Sequence, residues 1–434
     1  MRNLMRNRAP FVTLPATLLV LSALLAAALP ARADDVRLET RSGASSRMPL
    51  RVTSLAPAGD RDAGTTAVQA DEVLAADLQY SAAFDVARAW VASPQSATPI
   101  AEVGGKWTVR GSTVRLMGEV REYPGKQVIL AREYVGPAAK WRDVVHRFAD
   151  DVVLQFTGEP GVSATRIAFI VQEGRTKELW VMDSDGHDPR PLTADRSVAQ
   201  SPSWSPDGSL LLFTSYRGGG APQLWVLSPE TRKPFLLSGR QGFNTGGMYA
   251  PDGSGLVCTL GMDGNAEIYR LDARGGSPQR LTSHRSIDTS PCWAPTGREI
   301  AFTSDRSGVP QVHVMDADGG NVRRLTYDVS YTDSPAWSPR GDRIAFVVRT
   351  DSGFDLWTCR SDGSNTTRVV AGGSNENPRW SPDGRHLIFS SDRDGTRSLW
   401  ITDLDGAAPR KLDTGGRKAM SPAWSPRMGA TSAR

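Results

Sequence analysis

The chain has 434 residues, 39% hydrophobic and 23% charged, which is the make-up of a folded globular protein and excludes a disordered or fibrous one. Its formal charge of +4 sits at the extreme N-terminus: without Arg2, Arg6, Arg8 and Arg32, 47 basic side chains face 47 acidic ones, so the charge carries no nucleic-acid footprint. Cys258, Cys292 and Cys359 are an odd and small set, so disulfides are not the main staple; all three fall in or beside predicted strands and read as buried, inert thiols.

In chain order, Arg2, Arg6 and Arg8 precede an apolar run from about Phe11 to Leu29 that closes on Ala31-Arg32-Ala33. This pattern predicts a secretory signal peptide over residues 1–33, cleaved before Asp34, with an uncleaved membrane anchor as the alternative. No later segment is apolar enough to span a bilayer. Asp34–Ser46 is polar and reads as an arm. Residues 34–160 are expected to form a small α/β domain. Its strands are predicted at Met48–Leu55, Trp107–Arg110, Thr113–Val120 and Gln127–Tyr134, the last two joined across Tyr123-Pro-Gly-Lys126. Helices are predicted over Asp71–Phe84, with Leu74, Leu78 and Ala82 on one face, and over Lys140–Phe156, with Trp141, Val145, Phe148, Val152 and Phe156 at helical spacing. Gly158–Ser163 reads as a linker.

From there a motif recurs: Trp204-Ser-Pro-Asp-Gly208, Tyr249-Ala-Pro-Asp-Gly253, Trp293-Ala-Pro-Thr-Gly297, Trp337-Ser-Pro-Arg-Gly341, Trp380-Ser-Pro-Asp-Gly384 and Trp424-Ser-Pro426. The aromatic positions stand 45, 44, 44, 43 and 44 residues apart, a period that marks a propeller or similar array. Each unit reads as four short antiparallel strands: one ending in the aromatic residue, a second such as Leu210–Ser215 or Glu299–Ser304, a third such as Gln223–Val226, Gln311–Val314, Asp355–Thr358 or Ser398–Ile401, and a fourth ending in Leu-Thr, as at Leu281-Thr282. The first unit lacks an opening strand: Arg166–Val171, Glu178–Met182 and Arg190–Thr193 are its second to fourth. The final motif is an opening strand with nothing after it. Pairing the two predicts a six-bladed ring over residues 163–434, closed by the C-terminal strand and free of exposed sheet edges.

Candidate chemistry is sparse. Asp-x-Asp-Gly at Asp183–Gly186, Asp316–Gly319 and Asp403–Gly406 invites a calcium reading but stops short of the full ligand run, so these read as turns. His146, His187, His284, His313 and His386 form no zinc pair, and no nucleophile elbow, Walker loop or dinucleotide fingerprint is present. No catalytic, cofactor or metal residue is therefore assigned. The plentiful carboxylates leave open a glycan-cleaving pair.

The signal peptide, the small α/β domain and the Ser-Pro-x-Trp-Ser-Pro-Asp-Gly ring together resemble the TolB family, periplasmic propeller proteins of the Tol–Pal system. The Arg166-Ile-Ala-Phe169 entry strand, the Pro422-Ala-Trp-Ser-Pro426 finish and Ala75-Ala-Asp-Leu78 with Phe84 beyond it strengthen the likeness, which covers essentially the whole mature chain. Tyr249 in place of tryptophan, Thr296 and Arg340 in place of aspartate, and the glycines before Tyr249 depart from the pattern, and Val91–Gly105 matches poorly. The resemblance implies a monomeric, non-enzymatic periplasmic protein without cofactor. A Pal-like lipoprotein would bind one mouth of the propeller channel, which colicins also use, and a TolA-like inner-membrane protein would bind the N-terminal arm. The system serves outer-membrane integrity, cell division and bacteriocin entry. The expected Pal-facing residues are Asn244, Thr245, Gly246, Asp288, Thr289, Thr332, Asp333, Glu376 and Asn377, at the mouth where Gln200-Ser201 and Ala419-Met420 also fall. The arm residues are Asp34, Asp35, Val36, Arg37 and Leu38. A secreted propeller hydrolase or lyase, or a small-ligand-binding relative, is the alternative.

Overall fold

The structure is a computed structural model that describes residues 47–57, 63–91, 97–327, 329–404 and 408–427. The signal segment and the arm Asp34–Leu38 lie outside the described residues, as does part of the Asp403–Gly406 turn.

The first layer is a five-stranded sheet of β1 (Met48–Pro57), β2 (Phe84–Arg88), β3 (Ala101–Arg110), β4 (Thr113–Glu122) and β5 (Val128–Pro137), in the order β2-β1-β3-β4-β5. β1 runs parallel to both β2 and β3, while β3, β4 and β5 form an antiparallel meander. Two helices, α1 (Ala63–Tyr80) and α2 (Trp141–Thr157), pack against this sheet. α2 turns Val144, Val145, Phe148, Ala149, Val152 and Val153 inward at the spacing expected of an amphipathic helix. It approaches β4 so closely that a Cβ at Gly118 would stand 2.7 Å from the Phe148 ring. Its last turn is closed by Gly158 in the left-handed region, whose N–H donates to the Leu154 carbonyl.

Two expectations are corrected here. The first helix is Ala63–Tyr80, not Asp71–Phe84. Asp71, the first residue of the predicted span, is a buried mid-helix residue that accepts bonds from the Leu55 N–H and the Ser54 hydroxyl and so ties α1 to β1. Ala82 lies beyond the helix at φ 59°, and Phe84 opens β2, its ring edge-on to Phe156 at 5.6 Å. The poorly matching stretch Val91–Gly105 contains the first half of β3, which the sequence placed only from Trp107.

The second layer is a ring of six four-stranded antiparallel sheets. The first blade contains β6 (Arg166–Glu173), β7 (Thr176–Asp183) and β8 (Arg190–Pro191); its innermost strand is the C-terminal Lys418–Trp424, paired antiparallel to β6 from Lys418 opposite Gln172 to Trp424 opposite Ile167. The other innermost strands are Ala199–Trp204, Asn244–Tyr249, Asp288–Trp293, Thr332–Trp337 and Glu376–Trp380. Fourth strands are shorter than the sequence suggests, two residues in four blades. The Thr of the Leu-Thr pair explains this in three of them: the hydroxyls of Thr193, Thr282 and Thr326 accept the N–H of Leu179, Ile268 and Val312, replacing a backbone rung.

The repeated aromatic residues pack between blades. The indole of Trp204 donates to the Ala423 carbonyl at 3.0 Å and that of Trp380 to the Ala336 carbonyl at 2.8 Å, each stapling its blade to the one before. Cys258, Cys292 and Cys359 are buried free thiols, Cys258 and Cys359 pushed up to about 12 by burial. His313 is buried against Phe302, and burial holds it down near 4.

Candidate functional site

Each innermost strand repeats one backbone device three residues before its aromatic residue. Ser201, Gly246, Ser290, Ser334, Asn377 and Ser421 all take positive φ, between 48° and 64°, and the ladder register shifts at each of these strands. A proline follows in five blades and Gly247 in the sixth. These are β-bulges, and they explain how proline sits in a strand: its missing N–H falls where the ladder is already interrupted. Their consequence is a change of facing. Residues five before the aromatic (Ala199, Asn244, Asp288, Thr332, Asn375 and Ala419) are buried, whereas those four before it (Gln200, Thr245, Thr289, Asp333, Glu376 and Met420) are half-exposed at one channel mouth.

The expected contact residues therefore divide. They lie within the first residues of the innermost strands, which begin at Asn244, Asp288, Thr332 and Glu376. Asn244, Asp288 and Thr332 are fully buried and bonded internally, although Oδ1 of Asp288 has no hydrogen-bond partner. Asn244 caps its own loop, accepting from Ser238 and Arg240 and donating to the carbonyls of Arg240 and Gly242. Asp288 accepts from Arg306 at 2.7 Å, and Arg306 in turn lies over the Phe302 ring. Burial pushes the Asp288 carboxyl up from its ordinary value against the pull of Ser304 and Arg306. Thr332 bridges Val312, Thr326 and Gln311. Thr245, Gly246, Thr289, Asp333, Glu376 and Asn377 remain half-exposed. Asp333 accepts the Thr303 hydroxyl at 2.8 Å, and Glu376 pairs with Arg397 at 2.9 Å.

Beyond the bulges the channel holds a cavity of about 340 Å³, walled by serines, prolines and the strand-end aromatics. Gly246 and Asn377 are the two expected contact residues that line it. Its charged lining among the described residues is one side chain, Arg379, which the sequence reading missed. A column comparison would have revealed it: the residues immediately before the aromatic are Ser203, Met248, Cys292, Ala336, Arg379 and Ala423.

At the far end of the innermost strands the α/β layer meets the ring. Glu159 pairs with Arg340, Arg427 donates to the Gly161 carbonyl at 3.0 Å, and Arg410 lies over the Tyr80 ring at 4.1 Å. Between the layers His146 is buried with Nδ1 2.6 Å from Asp77 and Nε2 3.7 Å from Asp185, which also pairs with Arg142. Burial alone would lower the His146 pKa; the two carboxylates outweigh it and raise the value to about 9. Asp77, His146 and Asp185 are close enough together to suggest metal ligands. Yet both imidazole nitrogens face carboxylates and Arg142 adjoins one of them, so the imidazolium itself occupies the cation's place. A second histidine, His386, contacts Asp403 at 2.7 Å, and Asp403 also pairs with Arg47, the first described residue, at 2.9 Å. No helix among the described residues is long and apolar enough to cross a membrane.

Fold and channel together define a closed six-bladed propeller carrying a small α/β domain. Residues 153–428 match the TolB beta propeller domain family, and the chain belongs to that family. It is similar to the Tol-Pal system protein TolB of Anaeromyxobacter sp. (strain K), 40% identical over 218 residues, which are 46% of this chain and 50% of that protein. It is also similar to the Tol-Pal system protein TolB of Geobacter sulfurreducens, 37% identical over 216 residues, 45% and 49% of the two chains. The chain thus spans about half the length of the curated relatives it matches. Among solved structures, TolB from Acinetobacter baumannii superposes with a TM-score of 0.77 at 23% identity, covering 88% of this chain and 97% of that one, a likeness of fold that includes the α/β layer.

Proposed function

We propose that this chain is a periplasmic, non-enzymatic adaptor of the Tol–Pal system, acting in outer-membrane integrity and cell division. In this reading residues 1–33 direct export and are removed, residues 34–160 form the α/β domain with its arm, and residues 163–434 form the propeller. The channel mouth at the strand starts binds a Pal-like lipoprotein, and the arm Asp34–Leu38 binds a TolA-like inner-membrane protein. The observation that carries the reading is the ring of half-exposed, mostly polar side chains at that mouth, from Gln200 to Met420, on a fold whose named relatives are Tol–Pal system proteins. The bulges hold this ring rigidly, which lowers the ordering cost of binding. The α/β layer meets the opposite ends of the same strands, so both contacts can be made at once.

The rival hydrolase or lyase reading requires two carboxylates converging on a substrate. Asp333 and Glu376 at the mouth are instead engaged by Thr303 and Arg397, and the cavity's charge is a cation. Co-purification of the mature protein with the Pal-like lipoprotein of its own organism tests the proposal. Capture is expected, and deletion of Asp34–Leu38 should abolish TolA-like binding while leaving that capture intact. Unchanged TolA-like binding by the deletion would reject the arm assignment.

A further inference from the structure

Arg379 is out of keeping with its surroundings. It stands on the innermost strand Glu376–Trp380, in the position that carries Ser203, Met248, Cys292, Ala336 and Ala423 in the other blades. The small residues at four of these positions leave the channel open for one long side chain. Its guanidinium donates to the Pro378 carbonyl at 2.9 Å, and among the described residues no carboxylate lies within ion-pair distance of it. A guanidinium has five donors in a planar fork, so one carbonyl leaves most of them unused. Burial holds Arg379 below its ordinary pKa, and Cys292, a thiol held up by burial, lines the same cavity. Other blade arginines find more partners: Arg217, Arg306 and Arg397 each reach a carboxylate, and Arg393 reaches Asn375 and stacks on Phe389 and Trp400. Arg379 is half-buried; a cation without a counter-charge in a walled cavity is disfavoured relative to one in open water, and a bound anion relieves that.

We propose that the propeller channel is a binding site for a carboxylate carried on an apolar body, with Arg379 as the anion hook. The cavity of about 340 Å³ is at the small end of ligand pockets and leaves room beside the guanidinium. Its walls are Trp204, Trp293, Trp337 and Trp380 with the repeated prolines, surfaces suited to a hydrocarbon or aromatic body and not to a heavily hydrated ion. Ser290, Ser334 and Asn377, at the bulges, line the same cavity and add neutral polar partners. A carboxylate matches the fork of arginine with two parallel hydrogen bonds, which sets it apart from neutral isosteres.

Benzoate serves as the probe, with benzamide as its neutral counterpart and inorganic phosphate as a hydrated anion. Titration of the mature protein followed by tryptophan fluorescence, which reports on the channel aromatics, should give saturable benzoate binding. Benzamide should bind at least about tenfold more weakly, the loss expected for one charge-assisted bidentate contact, and phosphate should bind more weakly because it keeps that contact but has no apolar body for the walls and a larger hydration cost. Arg379→Met should abolish the preference for benzoate over benzamide, and Arg379→Lys should retain part of it. Equal binding of benzoate and benzamide, tighter binding of phosphate, or undiminished benzoate binding by Arg379→Met would each overturn the site. Arg379→Met removes an unpaired charge, so its melting temperature should not fall; if it does, Arg379→Lys provides the comparison in a folded protein. A free molecule and an acidic side chain on an inserted protein segment present the same group. Displacement of benzoate by the Pal-like lipoprotein would identify the protein-borne source, and retention of benzoate the free one; both support the site.

Discussion

Asp288 and Thr289 are neighbours in sequence and at the same channel mouth, yet they do opposite work. Asp288 is buried against Arg306, whereas the Thr289 side chain opens to the channel. Replacing Asp288 with Ala leaves Arg306 without its counter-charge and should cost about 2–3 kcal/mol in urea denaturation; a cost below about 0.5 kcal/mol would show that the pair is not structural. Thr289→Trp should leave stability within about 0.5 kcal/mol of the parent while weakening lipoprotein capture at least about tenfold by filling the mouth. Capture undiminished by Thr289→Trp would place the contact elsewhere. His146 supplies a prediction on pH. The folded protein holds this proton with a pKa of about 9 against an ordinary 6.5, so the Asp77–His146–Asp185 cluster contributes fully below about pH 6.5 and loses its contribution as pH rises through about 9. Denaturation midpoints compared at pH 6 and pH 10 should therefore fall more steeply for the parent than for His146→Gln. Parallel slopes would show that His146 is not charged in the fold.

Among elements, the six bulges and the closing strand matter most. Ser334 occupies the left-handed region, so Ser334→Gly should be neutral or stabilising by about 0.5 kcal/mol, and Ser334→Val should cost about 1 kcal/mol or more. Thermal denaturation reads both, and the reverse order would contradict the bulge. Removal of residues 418–434 strips the innermost strand from the first blade and exposes β6 as an edge. The truncated protein should lose cooperative unfolding and self-associate in size-exclusion chromatography, since an unpaired edge templates further pairing. These elements differ in how legible they were. The aromatic period, the Asp-Gly turns and the unmatched ends announce the ring and its closure, because each blade repeats the same local chemistry. The bulges are hidden: serine, which holds four of the six positions, carries no left-handed signal of its own, and in those four blades only the proline that follows marks the place. Without the bulge, counting along the strand cannot tell that Asp288 turns inward and Thr289 outward, so the expected contact residues mixed the two classes. In the α/β layer the role of Asp71 is not legible in sequence because its partners, Leu55 and Ser54, belong to another element. Arg379 was overlooked because it looks ordinary in its own blade and unusual only beside the other five.

At the scale of the whole molecule, one set of strands connects two faces. Their starts form the polar mouth, their ends meet the α/β layer, and the cavity with Arg379 lies between. Arg47, where the described chain begins, is tied to Asp403 of the ring, so the start of the α/β layer and the propeller share one ion pair. The account stands or falls on whether the mouth is a protein-binding surface. Isothermal titration of the mature protein with the soluble domain of its own organism's Pal-like lipoprotein, run in parallel on Thr289→Trp, measures this directly. The account predicts a saturable one-to-one complex that the substitution weakens at least about tenfold. No heat of binding to the parent protein, or equal affinity for the two, would contradict it.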